Sequence, residues 1–293
     1  MKSDTVMQLD IFADSRDVML RNGIAEAFWA ADFDLAGERT KALAVEFPGD
    51  WLLPPASVLQ EVGGLIPQRV KTHAAAAALV ERCDKEIARA AGMVLGPKGE
   101  EWMRHRVWAR LADATVDLPF DSRWPTAFPA DIWLRAGEFD LASASVERIP
   151  SWRSMPVPLR WKIMATVRAG GLDQAWPLIF ELAWMAPEML ARTIAELGDP
   201  LLVGLVDVTE RIFEGADGAM CWLPACALIT EPALAGIAVG ARTAKETDAT
   251  RAYACVCALL SIERQGKQRE MAEQRKRLRG LNEGVFREYM RSR

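Results

Sequence analysis

Side chains able to carry chemistry are sparse in this chain. Histidine occurs only at His73 and His105, far apart and without the HExxH or Cys/His spacing that holds a metal. His105 sits between arginines in MRHRVW, which suits an exposed helix face. The five cysteines, Cys83, Cys221, Cys226, Cys255 and Cys257, are an odd count that predicts reduced thiols and no disulfide framework. Cys255 and Cys257, in YACVCALL, lie two apart on an apolar helical stretch and so face different ways, unable to share one ion. The carboxylate pairs Asp32/Asp34 and Glu100/Glu101 fall at helix starts, where caps and dipole partners belong. No phosphate-binding glycine loop, nucleophile elbow or dinucleotide fingerprint occurs. These residues predict no catalytic set, no metal, no cofactor and a chain that is not an enzyme.

The elements that would have to position any site are helical. With 293 residues, 51% hydrophobic and 26% charged, the chain can bury a large core, as one elongated array or as two lobes. A net charge of −4 gives no reason for general affinity to nucleic acid or anionic membrane. Asp4, Asp10, Asp14 and Asp17 interrupt the apolar run an export signal needs, which predicts a cytoplasmic protein. The most lipid-like window, Met220 to Ala241, carries Glu231 and Pro232 at its middle and reads as two buried helices broken there, with no membrane span.

Three segments share one pattern: AADFDLA ending at Ala36, AGEFDLA ending at Ala142 and AGGLDQA ending at Ala175. Each reads as a helix end, a tight turn and a new helix start, with Asp34 a candidate cap in the first and a small alanine letting antiparallel helices approach. Their spacings fit one and three units of about 35 residues. Ala36 is followed by Leu43 and Pro48, and Ala175 by Leu182 and Pro187, at matching offsets. This pattern resembles the second helix of a tetratricopeptide repeat, in which a small residue opens the helix, an apolar residue packs inward and a proline ends it. The resemblance covers two or three units; the first-helix signature is absent and the unit at Ala142 meets Pro150 early. It implies an all-α fold of antiparallel helical hairpins stacked as a tetratricopeptide-like α-solenoid.

Between the clear units, 71–92 and 100–114 read as further helices, and strand signals are almost absent. The proline-rich stretch 115–130, with Pro119, Pro125 and Pro129, predicts a connection between an N-terminal lobe, 15–114, and a C-terminal lobe, 131–293. Aromatic residues in this connection, and in a second extended segment at 149–158, are expected to pack back on the helices. Most of the 11 tryptophans fall within apolar helical periods and should wedge between helices.

Two segments stand apart. From Ile262 to Arg293 the chain holds ten Lys or Arg against five Glu, and Arg275, Lys276, Arg277 and Arg279 are its densest group, able to steer an acidic partner or nucleic acid. The same tail keeps an apolar stripe at Leu278, Leu281, Val285, Phe286 and Met290, as a capping helix would. At the other end, residues 1–14 precede the first expected helix and contain QLDIF, which resembles the pentapeptide that binds the bacterial DNA polymerase sliding clamp. That resemblance implies Gln8 as hydrogen-bonding anchor, Leu9, Ile11 and Phe12 as apolar plugs, and Asp10 facing solvent. The alternative is that Leu9, Ile11 and Phe12 cover the open end of the first hairpin. The sequence therefore predicts a protein-interaction scaffold or adaptor, with a clamp-associated replication or repair factor as one alternative and an enzyme with an unrecognised site as another.

Overall fold

The computed structural model describes residues 15–214, 218–237, 240–243, 245–265 and 267–293, and every regular element among them is helical. The chain divides into two compact units, Met1–Glu138 and Phe139–Arg293.

In the first unit, α1 (Arg16–Trp29) and α2 (Phe33–Glu46) pack side by side as an antiparallel hairpin. Their turn places Ala31 in the left-handed region at φ 59°, and the cap is Asp32, whose side chain accepts from the Leu35 N–H at 2.9 Å. Asp34, the expected cap, instead lies in the first turn of α2, where a carboxylate suits the helix dipole. Ala36 and Leu43 are fully buried, as their places in the pattern require. α3 (Leu53–Leu65) packs on α2. α4 (His73–Arg82) begins at Thr72, which accepts from the Ala75 N–H, and runs through a π turn, Cys83–Ile87, into α5 (Ala88–Leu95). After a positive-φ glycine at Gly96, α6 (Gly99–Trp102) continues through a second π turn, Met103–Trp108, into α7 (Ala109–Thr115), and α8 (Pro129–Ala136) closes the unit.

Apolar packing and a few buried polar contacts fix these helices. Trp102, almost fully buried, donates from Nε1 to the Phe28 carbonyl at 2.7 Å and so ties α6 to the end of α1. α6 crosses α5 so closely that a Cβ at Gly99 would stand 2.7 Å from the Ala91 carbonyl oxygen. Arg135 on α8 pairs with Asp84 at 2.7 Å and Asp131 at 3.0 Å, and its guanidinium lies 5.0 Å from the Trp108 ring. The proline-rich stretch 115–130 belongs to this unit. Phe120 and Phe128 meet edge-on at 5.5 Å, and the Pro119 carbonyl is 2.7 Å from His73 Nε2. The division between units comes after it, just past Gly137, whose φ of 80° ends α8. AGEFDLA therefore spans the division, its two helices belonging to different units.

In the second unit, α9 (Phe139–Glu147) and α10 (Pro156–Gly170) form a hairpin, with Lys162 of α10 pairing with Ser143 and Glu147 of α9. Then follow α11 (Trp176–Met185), α12 (Pro187–Leu197), α13 (Pro200–Phe213), α14 (Leu223–Thr230), α15 (Leu234–Ile237) and α16 (Asp248–Gln265). Last come α17 (Gln268–Leu281) and α18 (Glu283–Arg291). Proline occupies one of the first two positions of α10, α11, α12, α13 and α14, where its missing N–H costs nothing. Pro187, expected as a terminator, thus opens α12 as well as closing α11.

Ala142, Ala175 and Leu182 are fully buried. Every side chain of α14 except that of Thr230 is buried, because α11, α13, α16 and α18 pack around it. The window 220–241 is indeed two helices interrupted at Pro232, although α15 buries only Leu234. Among the described residues no helix is long and apolar enough to cross a membrane. The tail is two helices and not one: Asn282 breaks the run and caps α18 by accepting from the Val285 N–H. Leu278 and Val285 are fully buried, whereas Met290, at the end of the stripe, is exposed.

Candidate functional site

Gln8, Leu9, Asp10, Ile11 and Phe12 lie outside the described residues. The four cations of α17 divide in two. Arg275 is half-buried with its guanidinium 5.6 Å from the Tyr289 ring, and Arg279 pairs with Glu283 at 2.9 Å beside the Phe286 ring. Both hold α18 against α17. Lys276 and Arg277 are exposed, with no ion pair among the described residues.

Burial pushes the Cys83 and Cys226 thiols up to about 12, and burial likewise raises Cys221, Cys255 and Cys257, so none is an activated thiolate. His73 sits against the Pro119 carbonyl, and His105 is exposed. Glu100 and Glu101 occupy the first turn of α6. Among the described residues no group of three or more His, Cys, Asp or Glu side chains converges to hold a metal ion.

Two arrangements stand out instead. On the first unit, Trp51 is 53% exposed although its ring is backed by the Arg21 guanidinium at 5.8 Å. Arg21 is in turn gripped by Asp17 at 2.8 Å and by Asp50 at 2.7 Å. The Asp50 side chain is only 2% exposed and also accepts from the Leu52 N–H. Burial by itself would raise the Asp50 carboxyl, but the hydrogen bonds from Arg21 and Leu52 and the Arg21 charge outweigh it and hold its pKa below the ordinary value. Exposed Met19 and Val45 belong to the same α1/α2 hairpin.

The second arrangement surrounds Glu181 of α11, a carboxylate only 3% exposed within the apolar run WPLIFELAWM. Arg153 donates to both its oxygens, from Nε at 2.7 Å and Nη2 at 2.5 Å, and the Arg242 backbone N–H donates at 2.6 Å. Arg153 also donates to the Gly240 carbonyl at 2.8 Å. One buried acid therefore joins α11, the turn at 152–154 and the segment 240–243. One helical turn beyond it, Trp184 meets Tyr253 of α16 edge-on at 5.1 Å. A cavity of about 370 Å³ opens here, lined by Arg153, Glu181, Trp184, Arg242, Thr243 and Lys245 among others. The Trp184 Nε1 atom is buried and has no acceptor among the described residues.

Sequence reasoning missed this cluster because its members are distant in the chain. The one local sign was a lone glutamate inside an otherwise apolar helix, since a charge is buried only when paired. No protein-family model, curated protein or solved structure matches the chain.

Proposed function

We propose that the chain is a non-enzymatic cytoplasmic scaffold or adaptor whose helical hairpins, stacked in a tetratricopeptide-like array, bind a protein partner. Trp51 carries this reading. An aromatic side chain that is half in water yet braced by Arg21, itself pinned between two carboxylates, loses little freedom on docking. Tryptophan is also among the residue types that anchor protein interfaces. The burial of Ala36, Ala142 and Ala175 supports the repeat reading, and the raised thiols and the paired Glu181 weigh against nucleophilic or acid–base catalysis. Lys276 and Arg277 leave positive charge available to an acidic partner.

The sequence QLDIF favours one particular partner, the bacterial sliding clamp, because it lies only a few residues ahead of α1 and so near the same hairpin along the chain. Titration of the purified protein into a sliding clamp by calorimetry tests this, with Leu9→Ala/Phe12→Ala and Trp51→Ala variants checked for unchanged melting temperature. Binding lost only in the double variant makes QLDIF the hook, and binding lost in Trp51→Ala makes the hairpin the anchor. No binding by the parent removes the clamp as partner. The scaffold itself is tested by placing a photo-crosslinking phenylalanine at position 51 and, as control, at exposed Lys41 in cells. A discrete adduct from position 51 alone is expected, and adducts from neither position count against the scaffold.

A further inference from the structure

We propose that the cavity beside Glu181 is a binding site for a small aromatic anion, a ring bearing a phosphate monoester or carboxylate group. The charge count at the cavity is unbalanced. Glu181 is already satisfied by Arg153 and by the Arg242 backbone N–H, whereas the Arg242 and Lys245 side chains line the same space with no ion pair among the described residues. Two cations without counter-charge at a concave, partly apolar surface favour an anion, since the low-dielectric wall strengthens their field.

The second observation is the Trp184 indole. Trp184 lines the cavity, and an aromatic wall residue favours a ligand that carries a ring. The neighbouring Met185 is apolar, while Ser154 and Thr243 offer hydroxyls for the remaining oxygens of an acid group. The volume of about 370 Å³ suits one ring and its oxyanion, and lies within the range of small-molecule sites.

The Glu181 clamp explains why the site is built as it is. By holding the Arg242 N–H and, through Arg153, the Gly240 carbonyl, it fixes the backbone that presents Arg242 and Thr243. Two other cavities of this unit lack such a surplus. At the one beside Lys162, the ammonium is taken up by Ser143 and Glu147; the one beside Tyr253 and Cys257 is lined by no charged side chain.

The test uses the full chain labelled with ¹⁵N at its tryptophan side chains, the Trp184 indole signal being the one lost in Trp184→Phe. Phenyl phosphate and benzoate are titrated in turn, with benzyl alcohol and inorganic phosphate as controls. A saturable shift of the Trp184 signal with at least one aromatic acid is expected, and little or none with benzyl alcohol. The tighter of the two acids identifies the preferred group. Arg242→Ala/Lys245→Ala removes two exposed side chains and keeps the Arg242 N–H, so it should melt like the parent while weakening the acid by about tenfold or more. Three results would overturn the proposal: no saturable shift with either acid, an undiminished shift in the double variant, or inorganic phosphate acting as strongly as phenyl phosphate.

Discussion

Arg153 and Glu181 form a two-pronged ion pair, with Nε and Nη2 of the arginine at 2.7 and 2.5 Å from the two oxygens of a carboxylate that is 3% exposed. Hydrogen bonding to that carboxylate raises the arginine pKa further. Glu181 also accepts from the Arg242 N–H and so ties α11 to the segment 240–243. Glu181→Ala should leave a partly buried guanidinium unpaired and cost about 3 kcal/mol in urea unfolding. A loss below about 0.5 kcal/mol, the scale of an ordinary surface change, would contradict this account.

Acid should weaken the first hairpin through Asp50. Its pKa is depressed in the folded state, so its contribution is complete above the unfolded value, near pH 4, and fades as pH falls through the lower folded value. Asp50→Asn should therefore lower the melting temperature at pH 7 and show a shallower further decline between about pH 5 and 3 than the parent. Parallel melting curves for the two proteins across that range would refute the role of this carboxylate.

Ala31 holds a left-handed conformation that an alanine adopts at a cost, and Gly137 stands at the corresponding place of the second copy of the pattern. Ala31→Gly should relieve more strain than it adds in unfolded-chain freedom, raising stability by roughly 0.5–1 kcal/mol. Denaturant midpoints compared at equal slope would show the sign directly.

At Gly99 the opposite substitution is harmful. A methyl group there would press on the Ala91 carbonyl at 2.7 Å, and backbone is the yielding partner, so Gly99→Ala should cost about 1–3 kcal/mol despite alanine's better helix propensity. Gly64, with open space around its Cβ position on α3, is the control: Gly64→Ala should be neutral or stabilising.

Two tryptophans separate surface from core. Trp102→Ala opens a buried cavity and removes the indole bond to the Phe28 carbonyl, which keeps the Ala31 N–H, for an expected loss of about 3–5 kcal/mol, whereas Trp51→Ala should stay within about 1 kcal/mol. Equal losses at the two positions would mean that Trp51 is a packing residue and not a free anchor.

The sequence by itself determined the helical class and several points where one helix ends and the next begins, because those follow from short-range signals. Asp32 before FDLA, the glycine after α8 and the buried alanines at 36, 142 and 175 each act within a turn or two of chain. Even there, which of Asp32 and Asp34 would cap depended on the positive φ of Ala31, a backbone choice that residue type does not announce. Only the tertiary structure decided that the proline-rich stretch 115–130 folds into the first unit, through contacts such as His73 with Pro119 that join distant residues. It alone gave Glu181 its partners, since Arg153 and Arg242 reach that carboxylate from separate segments far along the chain. Helical periodicity reports which face of a helix is apolar; it carries no record of which distant cation will meet a charge placed on that face, and the cavity at Trp184 exists only once that meeting has occurred.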